Sequence, residues 1–415
     1  MKPNDTQRIL ILGLNFSPEL TGIGRFTGEM ALYLAGQGIR VRAITTPPYY
    51  PYWKIQPGYS GWQYRWEQIE GVEIIRCPLW VPKSITNRTR IPHLLSFAIS
   101  SLPAMLLQAS WKPDIVLCVI PTLFSAPAAL LVARLCKAKA WLHIQDFELE
   151  AAFKLKMLPG IKRLYPLVHG LESGLLTHFD MVSTISERML ALCIDKGVSL
   201  RRIFLLPNWV DTQRIYPLVG SNPLRDELHL LDNQIIILYH GNMGRKQGLG
   251  ILLDAADYLQ KEVDIQFILC GEGVARSELE ARAHELPNVR FLDVQPENRL
   301  NALVNLADIH VLPQLAGVAD LVMPSKLTGM LASGKAVIAT AHAHTEVGRI
   351  ISKVGVLTPP EDPTTLAEAI LSLARSPERR SRLGKSGREY ALQNWEVNIV
   401  LKRFEEQIFN LLEQV

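Results

Sequence analysis

The sequence predicts an α/β protein built from two doubly wound parallel-sheet domains. Three observations carry this: short apolar runs alternate with amphipathic segments along most of the chain, the alternation stops once, at residues 205–230, and 415 residues exceed what one ordinary core holds. The first half opens with RILILGL (8–14), an apolar strand, followed by TGEMALYLAGQG (27–38), an amphipathic helix ended by glycine, and by IRVRAITT (39–46), the next strand. That order is a βαβ unit. DIVLCVI (114–120), AKAWLHIQD (138–146) and DMVSTIS (180–186) continue the series, each with a helical segment nearby, so the sheet is expected to be parallel. Residues 47–66, PPYYPYWKIQPGYSGWQYRW, cannot form a regular helix and read as a long surface excursion. Its aromatic rings suit stacking on sugars, contact with lipid headgroups, or packing on one another.

The pause at 205–230 (LLPNWVDTQRIYPLVGSNPLRDELHL) collects Pro, Asn, Gly and Ser and marks a domain boundary. Alternation restarts at IIILYH (235–240) and continues through DIQFILCGEG (264–273), VRFLDV (289–294), DIHVLP (308–313) and AVIAT (336–340), a second parallel sheet. The closing residues 395–415 read as a long amphipathic helix of alternating charge. The expected division is therefore 1–210, 211–390 and a terminal segment 391–415.

Composition narrows the classes of function. Hydrophobic content of 48% and charged content of 20% exclude disorder, and the mean hydropathy of +0.11 points to very full cores or membrane contact. Residues 1–210 hold 23 Lys/Arg against 14 Asp/Glu, while residues 211–415 hold 21 against 26, so the two halves face different partners. A basic N-terminal half suits an anionic membrane surface or a phosphorylated acceptor; without a Lys/Arg run interleaved with aromatics, no nucleic-acid partner is expected. Five scattered cysteines, with neither a CxxC pair nor a histidine at ligand spacing, read as reduced structural thiols, and no metal or other cofactor is expected. The N-terminal apolar run is too short for a signal peptide, which implies a cytoplasmic protein. Residues 94–111 (LLSFAISSLPAMLLQASW) carry no charge and follow Lys83, Arg88, Arg90 and His93. They read either as a buried helix or as one lying in a membrane interface, and are too polar for a good spanning helix.

Two segments of the second half carry phosphate chemistry. MPSKLTGMLASGKAVIAT (323–340) places Ser325 and Lys326 where a helix begins, adding a hydroxyl and an ammonium to unpaired backbone N–H groups. HGNMGRKQG (240–248) is a Gly-rich strand-to-helix turn containing Asn242, Arg245 and Lys246. Two cationic loops in one domain suit a diphosphate held from two sides.

The order of these motifs along the chain resembles the GT-B glycosyltransferases, more narrowly the family 4 retaining enzymes, and among these the enzymes of bacterial exopolysaccharide assembly, including the colanic-acid fucosyltransferase type. The resemblance covers essentially the whole chain. It implies two Rossmann-like domains with a cleft between them, an N-terminal domain for the acceptor, a C-terminal domain for the nucleotide sugar, and a C-terminal helix crossing back to the first domain. FSPELTGIGRFTGE (16–29) matches the family's first loop, in which Gly22 and Gly24 would let the backbone approach the donor, although a tight turn explains the same glycines. CGEGVARSELEARA (270–283) matches the turn beside the nucleotide, with Gly271 and Glu272; a helix-start acid is the other reading of Glu272. Lys246 is taken as the main diphosphate cation, with Asn242 and Arg245 near it. The family's two glutamates fall on Leu321 and Gly329 here, so both carboxylates are missing, and Asp320 or Glu346 is the nearest replacement. On the acceptor side, His143 and Asp146 both qualify by residue type as the catalytic group. Alignment favours Asp146, and His143 also reads as a satisfied structural histidine.

The implied activity is transfer of a hexose, with GDP-fucose one candidate donor, from a nucleotide diphosphate sugar to a lipid-linked saccharide at the cytoplasmic face of the inner membrane. It would proceed with retention and without a metal. A nucleotide-sugar epimerase or other enzyme on the same scaffold, or a non-catalytic sugar-nucleotide binding protein, are the alternatives.

Overall fold

The computed structural model describes residues 6–19, 22–83, 86–121, 123–147, 165–317 and 323–414, and only the backbone of Asn87, Arg88, Tyr165, Val168 and Lys246. The chain divides into two compact units, Met1–Pro207 with Leu401–Val415, and Asn208–Val400.

The first unit holds strands β1 (Arg8–Gly13), β2 (Arg40–Thr45), β3 (Arg65–Ile69), β4 (Val72–Arg76), β5 (Ile115–Ile120), β6 (Lys139–Ile144), β7 (Met181–Thr184) and β8 (Ile203–Leu205). They lie in the order β3-β4-β2-β1-β5-β6-β7-β8, and every pair is parallel except β3 with β4. All six residues of β5 are buried, which is why its sequence is an unbroken apolar run rather than an alternating one. The hairpin partner β3 was not expected. Its residues, RWEQI, have a mostly exposed edge and lack the apolar alternation that marks a half-buried strand.

Helices α1 (Gly22–Gly36), α2 (Asn87–Leu107), α3 (Ala126–Cys136), α4 (Tyr165–Leu176) and α5 (Glu187–Asp195) accompany this sheet. Helix α1 begins five residues before the predicted Thr27, so the expected glycine loop is in fact its first turn. Helix α2 starts at a capping box in which the Thr86 hydroxyl accepts from the Thr89 N–H and Thr89 answers the Thr86 N–H at 2.9 Å. It is neither fully buried nor free: Phe97 and Met105 lie in the core while Ile99 is 71% exposed and Leu107 67%.

The second unit is a six-stranded sheet, all parallel, in the order β11-β10-β9-β12-β13-β14. Its strands are β9 (Ile235–His240), β10 (Ile265–Cys270), β11 (Val289–Leu292), β12 (Ile309–Pro313), β13 (Ala336–Thr340) and β14 (Val356–Thr358). Alternate residues of β9 enter two cores, Ile237 and Tyr239 on one face, Ile236 and Leu238 on the other. Helices α6 (Pro223–Glu227), α7 (Gly250–Tyr258), α8 (Arg276–Arg282), α9 (Leu300–Leu306), α10 (Lys326–Ala332), α11 (Glu346–Val354), α12 (Pro363–Ala374) and α13 (Pro377–Asn394) surround it. Helix α13 fixes α10 from behind: Arg388 donates to the carbonyls of Ala332 (2.7 Å), Ile215 (2.6 Å) and Thr212 (3.0 Å).

The last helix, α14 (Val397–Glu413), carries residues 401–415 into the first unit. There Phe404 meets Trp141 edge-on, ring centroids 5.1 Å apart, and Glu405 accepts from the Tyr33 hydroxyl at 2.9 Å.

Candidate active site

In the second sheet the strand order reverses between β9 and β12, and the carboxyl ends of such strands are where doubly wound sheets bind ligands. Lys326, the first residue of α10, reaches this point. Its Nζ donates to the Tyr239 hydroxyl at 2.7 Å and lies 4.1 Å from the centre of the Tyr239 ring. Tyr239 in turn donates to the carbonyl of Asn242 at 2.6 Å. A Cβ on Gly241 would lie 3.1 Å from the same Nζ, so glycine there is what leaves room for the ammonium. The two cationic loops, 85 residues apart in sequence at Gly241 and Lys326, are thus joined through one tyrosine. Burial lowers the Lys326 pKa to about 7. Ser325 precedes the helix but its side chain caps nothing.

The Asn242 loop is shaped by the turn after β10. Met243 donates to the carbonyl of Glu272 at 2.7 Å, and Ala275 donates to Met243 at 2.9 Å. Gly271 has a φ of +150°, and a Cβ there would collide with the carbonyl of Gly241. Its glycine is therefore required by loop-on-loop packing. The Glu272 carboxylate pairs with Arg276, which also reaches Glu280 at 2.8 Å and Asp293 at 2.7 Å. Glu272 thus serves this surface network as well as holding the loop through its carbonyl.

Arg245 points elsewhere. It is exposed, sits 4.0 Å from Glu278, and lines a depression of about 310 Å³ with Gly250, Glu278 and Arg282, to which Lys326 does not contribute. The backbone of Lys246 lies in the same turn, and its side chain is outside the described residues. Glu346 is buried in the first turn of α11 and pairs with Arg349 at 3.1 Å, while the Thr345 hydroxyl accepts from Gly348 to begin that helix. Asp320 and Leu321 lie outside the described residues; at Gly329 a Cβ would meet nothing within 4 Å. Around the same sheet edge His240 Nδ1, Gln247 Oε1 and Gln314 Oε1 are buried without a hydrogen-bond partner among the described residues. Burial and the nearby Lys326 lower the His240 pKa to about 3, so its ring is neutral.

In the first unit the two candidates after β6 separate. His143 is fully buried, 2.9 Å from the Ser183 hydroxyl through Nδ1 and 3.0 Å from the Gln145 amide through Nε2. Burial drives its pKa down to about 3. A neutral ring with both nitrogens occupied inside the sheet favours the structural reading of His143, and a catalytic role for it stays a proposal beside that of Asp146. Asp146, two residues past the end of β6, is half-buried at the carboxyl edge. The glycines of α1 are also explained internally. The Gly22 φ is +66° with the Tyr50 ring 3.2 Å from its Cβ position, and a Cβ on Gly24 would strike the Glu19 carboxylate. Glu19 is buried, accepts from the backbone N–H groups of Tyr49 and Tyr50 at 3.0 Å, and has its pKa raised by burial.

Tyr239 and Glu19 escaped the sequence reading. Tyr239 ends an apolar strand and looks like any core aromatic, and nothing in the spacing couples it to Lys326. Glu19 carried a signal, an acid followed at once by a Gly-rich turn, but not its partners. No group of three or more His, Cys, Asp or Glu side chains able to hold a metal occurs among the described residues.

Two nucleotide-binding-type sheets with a buried lysine at the switch point of the second define a GT-B glycosyltransferase. The family profile "Glycosyl transferase 4-like domain" matches residues 21–209 and "Glycosyl transferases group 1" matches residues 234–376. The chain belongs to this glycosyltransferase family. It is 40% identical over 407 residues, 96% of its length and 98% of the relative's, to the "Putative colanic acid biosynthesis glycosyl transferase WcaI" of Escherichia coli K12. Among solved structures it is similar to sucrose-phosphate synthase from Thermosynechococcus elongatus, with a TM-score of 0.78, 18% identity, and coverage of 99% of this chain and 100% of that one. Anabaena HepE in complex with UDP and glucose gives a TM-score of 0.69 at 15% identity, covering 97% and 100%.

Proposed function

We propose that this glycosyltransferase moves a hexosyl group from a nucleoside diphosphate sugar to a lipid-linked saccharide in bacterial exopolysaccharide assembly, with retention and without a metal. The observation that carries the reading is Lys326, an enclosed ammonium held by Tyr239 beside Gly241 at the sheet's switch point. An enclosed cation there has the chemistry to neutralise charge that grows on a departing diphosphate, a stabilisation realised mainly in the transition state. Lys246 is assigned the same task from its place in the adjoining turn, with Asn242, Gly271 and Ser325 lining the phosphate path. Arg245, Glu272 and Glu346 are assigned peripheral donor contacts. In this reading residues 1–210 take the acceptor, residues 211–390 the donor, and of the terminal segment 391–415 the part grouped with the first unit, 401–415, returns to the acceptor domain. Asp146 meets the acceptor hydroxyl, Gly22 and Gly24 adjoin the donor, and the diphosphate itself helps remove the proton on the face it leaves. The description of the Escherichia coli relative as a putative colanic acid biosynthesis enzyme supports colanic-acid-type polysaccharide as the setting; GDP-fucose is a candidate donor on the family resemblance alone. The protein would work in the cytoplasm, attached peripherally to the inner face of the membrane that holds its acceptor.

Purified protein given GDP- and UDP-sugars should slowly release nucleoside diphosphate, and Lys326→Ala and Lys246→Ala should each lower turnover by about 10²-fold. Asp146→Asn should cut transfer while leaving calorimetric donor binding intact. Conversion of the sugar without its consumption would make the protein an epimerase, and binding without release a sugar-nucleotide carrier; either result overturns the proposal.

A further inference from the structure

We infer that the first unit docks on an anionic bilayer through one continuous face made by α2 and α3 with the aromatic edge hairpin at its border. On α2 the exposed residues Ile91, Leu95, Ile99, Leu102 and Leu106 recur every three or four positions and form a single stripe. Just before and on α3, Phe124, Leu131 and Leu135, seven and four positions apart, are 41%, 43% and 60% exposed. The two helices pack together, and the Cys136 thiol at the end of α3 lies 3.8 Å from the carbonyl of Ala109 just past α2. Isolated exposed leucines are ordinary; two adjoining stripes of them mark an interaction face.

The other side of α2 shows that the helix lies on the unit rather than crossing a membrane. Phe97, Ser101 and Met105 are buried, and Arg42 donates to the Gln108 side chain at 2.6 Å. A helix fixed in a protein core along one side cannot be surrounded by lipid, although its length and hydropathy would allow a span.

Charge decides between a bilayer and a second copy of the chain. Residues 77–145, which hold both helices, contain seven Lys/Arg and a single acid, Asp114, while the hairpin at the border adds Glu67, Glu70 and Glu73 to Arg65 and the buried Arg76. A two-fold contact through this face would set like charges against each other, whereas anionic headgroups complement them. The border has the matching chemistry. The Tyr64 hydroxyl donates to the carbonyl of Ser100 at 2.7 Å and the backbone N–H of Trp80 to the Ser96 hydroxyl at 3.1 Å, so the Tyr64 ring and the backbone of Trp80 flank α2. Trp62 and Trp66 beside them are 79% and 65% exposed. Tryptophan and tyrosine collect at headgroup depth, with apolar bodies and polar tips.

The inference names the surface for the peripheral attachment proposed above, and its test does not depend on the transferase chemistry. Full-length protein is floated with vesicles of phosphatidylethanolamine containing about a third phosphatidylglycerol, and with neutral phosphatidylcholine vesicles. Wild type should bind the anionic vesicles, more weakly as salt rises, and Ile99→Glu/Leu135→Glu should lower the partition coefficient by about tenfold or more. A Lys83→Gln/Arg90→Gln/Arg134→Gln variant should lose the preference for anionic lipid while keeping the apolar face. Both variants should keep the wild-type thermal midpoint and donor hydrolysis in solution. Equal vesicle binding by wild type and Ile99→Glu/Leu135→Glu would overturn the inference. So would a wild-type dimer in solution that this variant makes monomeric. Absence of donor hydrolysis with vesicle binding intact would instead remove the transferase reading and leave the docking face standing.

Discussion

Donor affinity should fall as pH rises through neutrality, because Lys326 is only half-charged there. Its pKa in the unliganded protein is about 7, lowered by burial. A bound diphosphate favours the ammonium and returns the pKa towards its ordinary value near 10.4. The apparent dissociation constant for a nucleotide sugar then scales inversely with the charged fraction of Lys326 in the free protein. It should rise about tenfold from pH 6 to 8 and about tenfold again by pH 9, together about 2.7 kcal/mol. Near pH 7 binding should take up about half a proton. A nucleotide sugar is the right probe because its diphosphate holds a constant charge over this range, whereas a free nucleoside diphosphate titrates within it. Calorimetry in two buffers of different ionisation enthalpy measures affinity and proton uptake together, and Lys326→Met should flatten both. Stability has the opposite sign. The folded state binds fewer protons than the unfolded chain between pH 7 and about 10.4, so the unliganded protein should gain stability across the interval in which donor affinity is lost. A pH-independent affinity in wild type, or the same slope in Lys326→Met, would refute the assignment of Lys326 to the diphosphate.

Two glycines of the second unit should respond in opposite directions. Gly271→Ala should cost about 3 kcal/mol or more, since its Cβ meets the Gly241 carbonyl at a strained φ, while Gly329→Ala, inside α10 with open space above it, should stabilise by up to about 1 kcal/mol; thermal unfolding reads both. His143→Gln should lower stability by about 1–3 kcal/mol yet leave transfer near wild type. Lost transfer with unchanged unfolding would favour the catalytic role instead. His143 also sets an acid limit: its folded pKa lies near 3 and its unfolded one near 6.5, so its contribution drains away as pH falls below 6.5. Gly24→Ala should destabilise the first unit by about 1–3 kcal/mol through the Glu19 carboxylate, detectable as a lower unfolding midpoint.

The central strands were legible because burial on both faces writes itself as an uninterrupted apolar run, as in β5 and β9. The edge strand β3 was not, since an exposed strand of Arg, Glu and Gln has no such pattern to show. The glycines were legible as special positions, but the internal contacts that surround them were not. At Gly24 the reason is the Glu19 carboxylate, and at Gly271 the Gly241 carbonyl, both internal contacts that spacing does not encode. Lys326 was placed at a helix start on local grounds, and its enclosure by Tyr239 depends on a strand 87 residues earlier. His143 and Asp146 share a strand end in sequence; only the sheet pairing to Ser183 on β7 separates one from the other.

The return of residues 401–415 to the first unit imposes an order on synthesis. About 190 residues, Asn208–Val400, leave the ribosome between the body of that unit and the segment that covers it. At about 5–20 residues per second this is a wait of roughly 10–40 s, during which Trp141 lacks the Phe404 ring. The nascent first unit must then persist with an uncovered aromatic face while its neighbour is still being made, so chaperone demand during translation should concentrate on that face.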